Sequence, residues 1–278
     1  MWDMVFNGAG GRRAGALFGV AAVLGAAGPA GATIDPSHQF VVNGGFEQTT
    51  NGLGQLRRNT DVVGWTSKKY DSSTYSYSFV LNASTVSTTG SPGEYGQEML
   101  WGPGNGANNG LQNSLGGTGG NFVGADGAYH LGKLTQAITG LIVGQTYQLT
   151  FDFAGAQEYN YGNGPSQDSW YFGFDTMNID QQSAVLNNSY KGFTGWQTQT
   201  FNFVATQTSD TLYFLAQGTP AGQPPFSLLD NVSLVGAYNV GAAPEPATWA
   251  MLLIGFGAIG FGLRTGRRSA PGLARAIA

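Results

Sequence analysis

The chain has 278 residues, a formal net charge of −4, a charged fraction of only 10%, 45 glycines and no cysteine. Without cysteine there is no disulfide framework, no thiolate metal site and no cysteine nucleophile. Between Thr33 and Ala243, six lysines and arginines stand against fourteen aspartates and glutamates, which argues against nucleic-acid binding because that function needs a basic surface. Glycine without a three-residue period excludes collagen, and the length suits one all-β domain.

The first 32 residues have the features of a secretory signal peptide. Arg12 and Arg13 supply positive charge before the apolar segment from Ala14 to Ala27. Small residues from Ala30 to Ala32 then provide a site for signal peptidase. We therefore predict a helical signal segment over residues 1–32 and a mature protein that begins at Thr33 outside the cytoplasm.

The body, residues 33–240, is a series of short apolar runs separated by glycine-rich turns. Thr146 to Phe153 has the clearest pattern, because aromatic and aliphatic residues alternate with polar ones as in a strand with one buried face. No repeat of 20–50 residues and no convincingly capped helix interrupts this pattern. The sequence predicts a single antiparallel β-sandwich. Its strands, in chain order, are expected within residues 40–47, 74–81, 128–138, 146–153, 170–175, 197–205, 211–216 and 228–234.

One connection stands out by its length. The stretch from Thr88 to Asn121 is rich in Gly, Asn and Ser and contains Tyr95 and Trp101. An ordinary connection between strands is much shorter. We interpret this stretch as either a functional loop or a disordered segment.

The end of the body is followed by a stiff tripeptide, an apolar run and a basic cluster. Pro-Glu-Pro resists helix formation, and the apolar run from Trp249 to Leu263 is shorter than the roughly 20 residues that span a bilayer comfortably. The arginines should stay cytoplasmic during export. A buried core helix would need neither the prolines nor the arginines. The residues that define this pattern, and that we predict to form a sorting signal, are Pro244, Glu245, Pro246, Trp249, Ala250, Arg264, Arg267 and Arg268.

This segment, residues 241–268, resembles the PEP-CTERM sorting signal of Gram-negative bacteria, and a basic and polar tail of residues 269–278 follows it. The resemblance implies a transmembrane-like sorting helix that anchors the chain transiently in the inner membrane. It also implies that an exosortase recognises and removes the helix. The body would then reach the cell surface or an exopolysaccharide biofilm matrix.

Short motifs along the body resemble the galactose-binding-like jelly roll of carbohydrate-binding modules. They are Asn43–Glu47, Gly64-Trp65, Leu134-x-Gln136, the strand from Gly144 to Phe151, Trp196 with Phe201 and Phe203, and the closing run Leu229–Leu234. The resemblance implies an antiparallel β-sandwich whose first and last strands run side by side. It also implies that Trp65 and Trp196 pack in the core.

In that family an acidic residue on each of these two strands often binds a structural calcium together with backbone carbonyls. Glu47 and Asp230 are the matching positions. Calcium takes several oxygen ligands, so two carboxylates would supply part of its shell. The alternative is that Glu47 is a surface carboxylate and Asp230 a turn-forming residue.

Aromatic side chains in loops are the candidates for a sugar site, because a flat ring can stack on a pyranose while amides and carboxylates bind its hydroxyls. Each of them could instead be buried under its own loop. The candidate carbohydrate-binding residues are Tyr95, Trp101, Tyr129, Tyr159, Tyr161 and Trp170.

Catalysis has weaker support in the sequence. His38 and His130 lie in no nucleophile or metal-binding motif, and no Gly-x-Ser-x-Gly, His-Glu-x-x-His or phosphate loop is present. A glycosidase needs only two carboxylates, and five in loops are available: Glu94, Glu98, Asp126, Glu158 and Asp168. We predict a non-catalytic protein that binds or co-assembles with extracellular polysaccharide. A structural or adhesive surface protein without a sugar site, and a glycosidase or lyase, are the alternatives.

Overall fold

The computed structural model describes residues 33–69, 75–105, 111, 114–115, 120–238, 253–254 and 256. The chain divides into two compact units, of which Ala32–Gly241 is the larger and Met1–Gly31 with Ala242–Ala278 the smaller. In the smaller unit the three described residues, Leu253, Ile254 and Phe256, are helical and exposed. The predicted signal helix and all eight residues of the sorting signal lie outside the described residues. No helix in the described part of the chain is long and apolar enough to cross a membrane.

The larger unit is almost entirely β-structure in its described residues, and a short 3-10 helix, Pro103–Asn105, is its one helical element there. The strands in chain order are β1 (Thr33–Gln39), β2 (Gly54–Gln55), β3 (Thr66–Lys69), β4 (Ser78–Asn82), β5 (Ser91–Gly93), β6 (Gly96–Glu98), β7 (Asn121–Asp126), β8 (Gly132–Thr139), β9 (Thr146–Gln157), β10 (Ser166–Phe174), β11 (Ile179–Gln182), β12 (Leu186–Asn188), β13 (Gln197–Val204), β14 (Ser209–Thr219) and β15 (Pro225–Tyr238).

Two antiparallel sheets form the sandwich. The seven-stranded sheet has the order β13-β9-β15-β7-β4-β2, with β1 also paired to β15, and the six-stranded sheet has the order β11-β10-β14-β8-β3, with β12 also paired to β10. From β7 to β10, and again from β13 to β15, successive strands alternate between the two sheets. This alternation is the connection pattern of a jelly roll. The predicted fold class is therefore confirmed, and the first and last strands run side by side.

Aromatic side chains dominate the core between the two sheets. The Phe151 ring packs edge-on against Phe172 at 4.9 Å and against Phe214 at 5.1 Å between ring centroids. Each buried side chain of this size contributes about 1.5–3 kcal/mol to folding. Trp65 and Trp196 are both buried, as predicted, although Trp196 belongs to a second cluster.

That second cluster covers the outer face of the seven-stranded sheet. Phe226 and Leu228 of β15 point into it, whereas Leu229 and Leu234 of the same strand point into the core between the sheets. The described part of residues 83–111 packs over this outer face through side chains that include Leu100. Within the long connection, β5 and β6 form a separate two-stranded sheet. The described part of this connection therefore folds onto the domain.

The predicted opening strand over residues 40–47 is wrong. The structure places β1 earlier, at Thr33–Gln39, and the segment after it bends, with positive φ at Asn43 and Phe46. Side-chain hydrogen bonds hold this segment, together with one backbone bond from the Val232 N–H of β15 to the Gly44 carbonyl at 2.9 Å. The Trp65 indole N–H donates to the carbonyl oxygens of Val42 and Asn43, at 3.1 Å each. Gln136 Oε1 accepts from the Val42 N–H, at 2.8 Å.

Candidate functional site

A cleft lies at one end of the four central strands of the seven-stranded sheet. The antiparallel register pairs Pro225 with Gln157 and Phe226 with Asp126, so β15 begins where β9 and β7 end. The chain enters β4 at the same end, where the Asp126 N–H donates to the Tyr77 carbonyl at 3.0 Å. Residues that are distant in sequence therefore meet at this end of the sheet because strand pairing brings them together.

Two loops build the walls of the cleft. The Tyr159 N–H donates to the Met99 carbonyl at 2.7 Å, which ties the loop after β9 to the chain leaving β6. The Trp101 N–H donates to the Gln157 carbonyl at 2.9 Å, and the Trp101 ring packs against Tyr159 with 4.4 Å between ring centroids. These contacts fix the backbone of both walls relative to the sheet.

The space between the walls consists of two adjoining cavities of about 570 and 340 Å³ that share Tyr77, Tyr95, Glu158 and Tyr161. Each volume lies in the range of small-molecule sites. We call the combined space the tyrosine cleft. Its aromatic and acidic residues are Tyr77, Tyr95, Glu98, Asp126, Tyr129, Glu158, Tyr159 and Tyr161.

Four of the six predicted sugar-contact residues come together here: Tyr95, Tyr129, Tyr159 and Tyr161. Tyr95 is 62% exposed and Tyr161 is 57% exposed, so these two rings are available to a ligand from solvent. The hydroxyls of Tyr95 and Tyr129 lie 3.1 Å apart and share a hydrogen bond. That bond is the main reason why the pKa of Tyr129 rises to about 12.

The prediction is wrong for the two tryptophans. Trp170 is 1% exposed in the core between the sheets, where its indole N–H donates to the Leu228 carbonyl at 3.0 Å. Trp101 is 8% exposed, with Tyr159 against its ring and the Lys191 ammonium 4.8 Å from its ring centroid. It supports the wall of the cleft from behind and does not line the cavity.

Glu98 is the most deeply buried carboxyl group of the cleft. Its side chain is 3% exposed, and its Oε2 accepts a hydrogen bond from the Tyr77 hydroxyl at 2.7 Å. Its Oε1 is buried and has no hydrogen-bond partner. Burial, and then the charge of Glu158, hold the pKa of Glu98 well above its usual range, while the Tyr77 hydrogen bond opposes this shift.

The other two carboxyl groups of the cleft also have raised pKa values. Burial raises the pKa of Glu158 to about 7, with a further contribution from Asp126. Burial also raises the pKa of Asp126 to about 7, although its Oδ1 accepts from the N–H groups of Ala128 and Tyr129 at 2.7 and 3.1 Å. These two bonds shape the turn that carries Tyr129, so Asp126 positions one of the aromatic walls.

Sequence reasoning missed Tyr77 as a site residue and considered Glu98, Asp126 and Glu158 only for catalysis. Tyr77 immediately precedes β4, and its place in the cleft depends on the pairing of β4 with β7. Of the other two catalytic candidates, Glu94 does not line the cleft. Asp168 is 1% exposed inside β10, where burial raises its pKa.

The acidic pair predicted to bind calcium is brought close together. Burial raises the pKa of Asp230 to about 7, and the nearby charge of Glu47 adds to the shift. Asp230 Oδ2 accepts from the Ser114 hydroxyl at 2.6 Å, and Glu47 Oε1 accepts from the Asn121 N–H at 3.0 Å. No group of three or more Asp, Glu, His or Cys side chains among the described residues could hold a metal ion. The pair therefore fits only part of a calcium shell, which would need further oxygens from backbone or amide groups.

Comparison with known proteins gives a family match at the C-terminal end of the chain. Residues 242–268 match the family described as the PEP-CTERM protein-sorting motif. The chain therefore carries the signal of an exported protein that is sorted to the cell surface. No curated protein matches the chain.

Several solved structures resemble the domain. One is TmCBM61 in complex with beta-1,4-galactotriose, at 14% identity over 71% of this chain and 98% of that chain, with a TM-score of 0.39. Another is the CBM22-1 xylan-binding domain from Paenibacillus barcinonensis Xyn10C, at 12% identity, 75% and 98% coverage and a TM-score of 0.35. A third is the enzymatically active domain of bacteriophage CBA120 tailspike protein 4, at 13% identity and a TM-score of 0.35, covering 73% of this chain and 22% of that chain. Similarity at this level assigns neither a ligand nor an activity to this chain.

Proposed function

We propose that the tyrosine cleft binds extracellular polysaccharide without cleaving it, after export of the protein and removal of the sorting segment by an exosortase. The observation that carries this proposal is the cleft itself, in which exposed tyrosine rings stand beside buried carboxyl groups. Rings of this kind can stack on the apolar face of a pyranose. Carboxyl and hydroxyl groups beside them can bind the sugar hydroxyls. Ligand pockets typically combine aromatic surfaces with a few polar groups in this way.

The same carboxyl groups raise the alternative of a glycosidase or lyase. A glycosidase needs one protonated carboxyl as general acid and a second that stays ionised as nucleophile or base. In the cleft the pKa values of Glu98, Asp126 and Glu158 are all raised. Among the described residues, no lysine or arginine lines the cleft and holds one carboxylate ionised. The lack of such a cationic neighbour among the described lining residues favours binding over catalysis.

Retention of the purified full chain on immobilised exopolysaccharide from the producing organism tests the proposal. Tyr161→Ala should weaken binding about tenfold, since an aromatic contact contributes on the order of 1 kcal/mol beyond the area it buries. Tyr190→Ala is the matched control, because Tyr190 is 38% exposed and does not line the cleft.

Three results would count against the proposal in different ways. Equal losses in the two variants would move binding away from the cleft. No retention of a folded wild-type protein on any polymer would leave a structural or adhesive surface protein. New reducing ends or unsaturated products, abolished by Glu158→Gln, would establish the enzyme.

A further inference from the structure

We propose that the tyrosine cleft selects an amino sugar with a free, protonated amine, so that its ligand is a cationic polysaccharide. This inference rests on the proposed function and names the class of sugar. It follows from a charge imbalance in the cleft, where three carboxyl groups have no cationic partner.

The carboxyl groups lie at positions where their burial destabilises the folded protein. Glu98 Oε1 is buried without a hydrogen-bond partner, although Glu98 lines the larger cavity. Glu158 lines both cavities and Asp126 lines the smaller one. A buried polar atom without a partner costs about 1–3 kcal/mol, and a carboxyl group buried without a cationic partner is held toward its neutral form. A ligand that supplies donors and positive charge would satisfy this arrangement.

The protein itself supplies no such charge to the cleft. All six lysines and arginines between Thr33 and Ala243 are among the described residues, and none of them lines either cavity. Lys133 pairs with Asp175 at 3.2 Å and lies over the Tyr213 ring, and the Lys191 ammonium lies 4.8 Å from the Trp101 ring centroid. A cationic partner for these carboxyl groups would therefore come from the ligand.

The aromatic walls suit the same ligand. Electron-rich faces of tyrosine attract a cation that lies within about 6 Å of the ring centroid. Tyr77, Tyr95 and Tyr161 line both cavities together with Glu158, so rings and carboxyl groups share one space. An ammonium group has three donors and no acceptor. A neutral sugar offers hydroxyls but no charge, and a uronic acid would add a fourth carboxyl group.

The test compares two ligands that differ only at nitrogen. Short oligomers of glucosamine and of N-acetylglucosamine, of equal length, are titrated into the purified full chain by calorimetry. The buffer has physiological salt and a pH of about 7, near the pKa of about 7 for Glu158 and Asp126, so that these carboxyl groups can form an ammonium–carboxylate pair with the amine. The free-amine oligomer should bind at least about tenfold more tightly, because hydrogen bonds to charged groups are stronger than those between neutral groups.

Three variants, each of which replaces one carboxyl group by an amide, separate the cleft from the general acidity of the domain. Glu98→Gln preserves shape and an acceptor for the Tyr77 hydroxyl, and it should reduce the preference for the free amine about tenfold. Glu158→Gln, at a less buried position, provides a second test should the first variant fold poorly. Asp61→Asn removes one exposed carboxylate outside the cleft and should leave the preference unchanged.

The outcomes distinguish the two proposals. Equal affinity for both oligomers, or tighter binding of the acetylated one, would overturn the inference and leave a sugar-binding cleft. An equal loss of preference in Asp61→Asn would show attraction to the acidic surface as a whole and would also overturn it. If neither these oligomers nor any neutral polysaccharide binds, the proposed function fails as well.

Discussion

Replacing Asp126 with asparagine should show by how much a buried carboxyl group of the cleft lowers the free energy of unfolding. The Asp126 side chain is 4% exposed, and burial raises its pKa from 3.8 to about 7. A carboxyl group with a raised pKa binds its proton more tightly in the folded state than in the unfolded state. Its contribution to stability is therefore present in full below about pH 4 and is lost as the pH rises toward 7. A shift of about 3 units corresponds to at most about 4 kcal/mol.

Asparagine stays neutral over this range, and its Oδ1 can still accept from the N–H groups of Ala128 and Tyr129. We therefore expect Asp126→Asn to unfold at a higher urea concentration than the wild type at pH 8. Its free energy of unfolding should be greater by up to about 4 kcal/mol. The difference in the free energy of unfolding between the variant and the wild type should shrink toward zero at pH 4. Urea titrations followed by tryptophan fluorescence at pH 4, 6 and 8 measure it, with Asp61→Asn as the exposed control. A variant that gains no stability at pH 8, or a gap of the same size at every pH, would refute the reasoning.

Three further changes probe the core and the predicted metal site. Trp170→Ala should lower the free energy of unfolding by about 3–5 kcal/mol in chemical denaturation, because Trp170 is 1% exposed and a smaller side chain leaves a cavity; a loss below about 1 kcal/mol would contradict its place in the core. Gly155→Ala should cost about 1–3 kcal/mol in the same assay, since the added Cβ would lie 2.7 Å from Oδ2 of the buried Asp168, and an unchanged midpoint would disagree. Calcium should raise the melting temperature and a chelator should lower it, with the response lost in Glu47→Gln and Asp230→Asn; a wild type that responds to neither addition would contradict the predicted calcium site.

How far the fold could be predicted is clearest in β9. Alternation from Thr146 to Phe153 correctly indicates one buried face. The strand continues to Gln157, however, and Ala154 and Ala156 are buried in the second cluster on the other face. Whether that face is covered depends on residues 83–111, which are far away in the sequence. A local pattern of polar and apolar residues carries no information about such a distant cover.

For the candidate site too, local patterns were informative and contacts between distant residues were not predictable. Tyr95 and Tyr161 were found because aromatic residues in polar loops are good candidates for ligand contact. Trp170 was included wrongly, although its alternation with Phe172 and Phe174 already indicated a buried strand face. Tyr77 was missed, because only the register between β4 and β7 brings it beside the other residues of the cleft. Residue type indicates what a loop can bind, whereas strand pairing decides which loops meet.

Tyr77 links the stability of the domain to the chemistry of the cleft. Its ring packs edge-on against Phe79 at 4.9 Å and Phe226 at 6.1 Å in the second cluster, and its hydroxyl donates to Glu98. Tyr77→Phe keeps the ring but leaves both oxygens of Glu98 without a partner, which should cost about 1–3 kcal/mol.

A double-mutant cycle of Tyr77→Phe with Glu98→Leu isolates this bond from the packing of the ring, because leucine offers no acceptor to the Tyr77 hydroxyl. Urea unfolding of the four proteins should give a coupling energy of about 0.5–3 kcal/mol, as expected for residues in contact. Phe79→Leu serves as the control partner, since Phe79 packs against the Tyr77 ring. Its coupling to Glu98→Leu should be close to zero. A Tyr77–Glu98 coupling near zero would mean that the hydroxyl does not hold the carboxyl group in place. Glu98 would then be free to turn away from the cleft, and the geometric basis for selecting a cationic sugar would be lost.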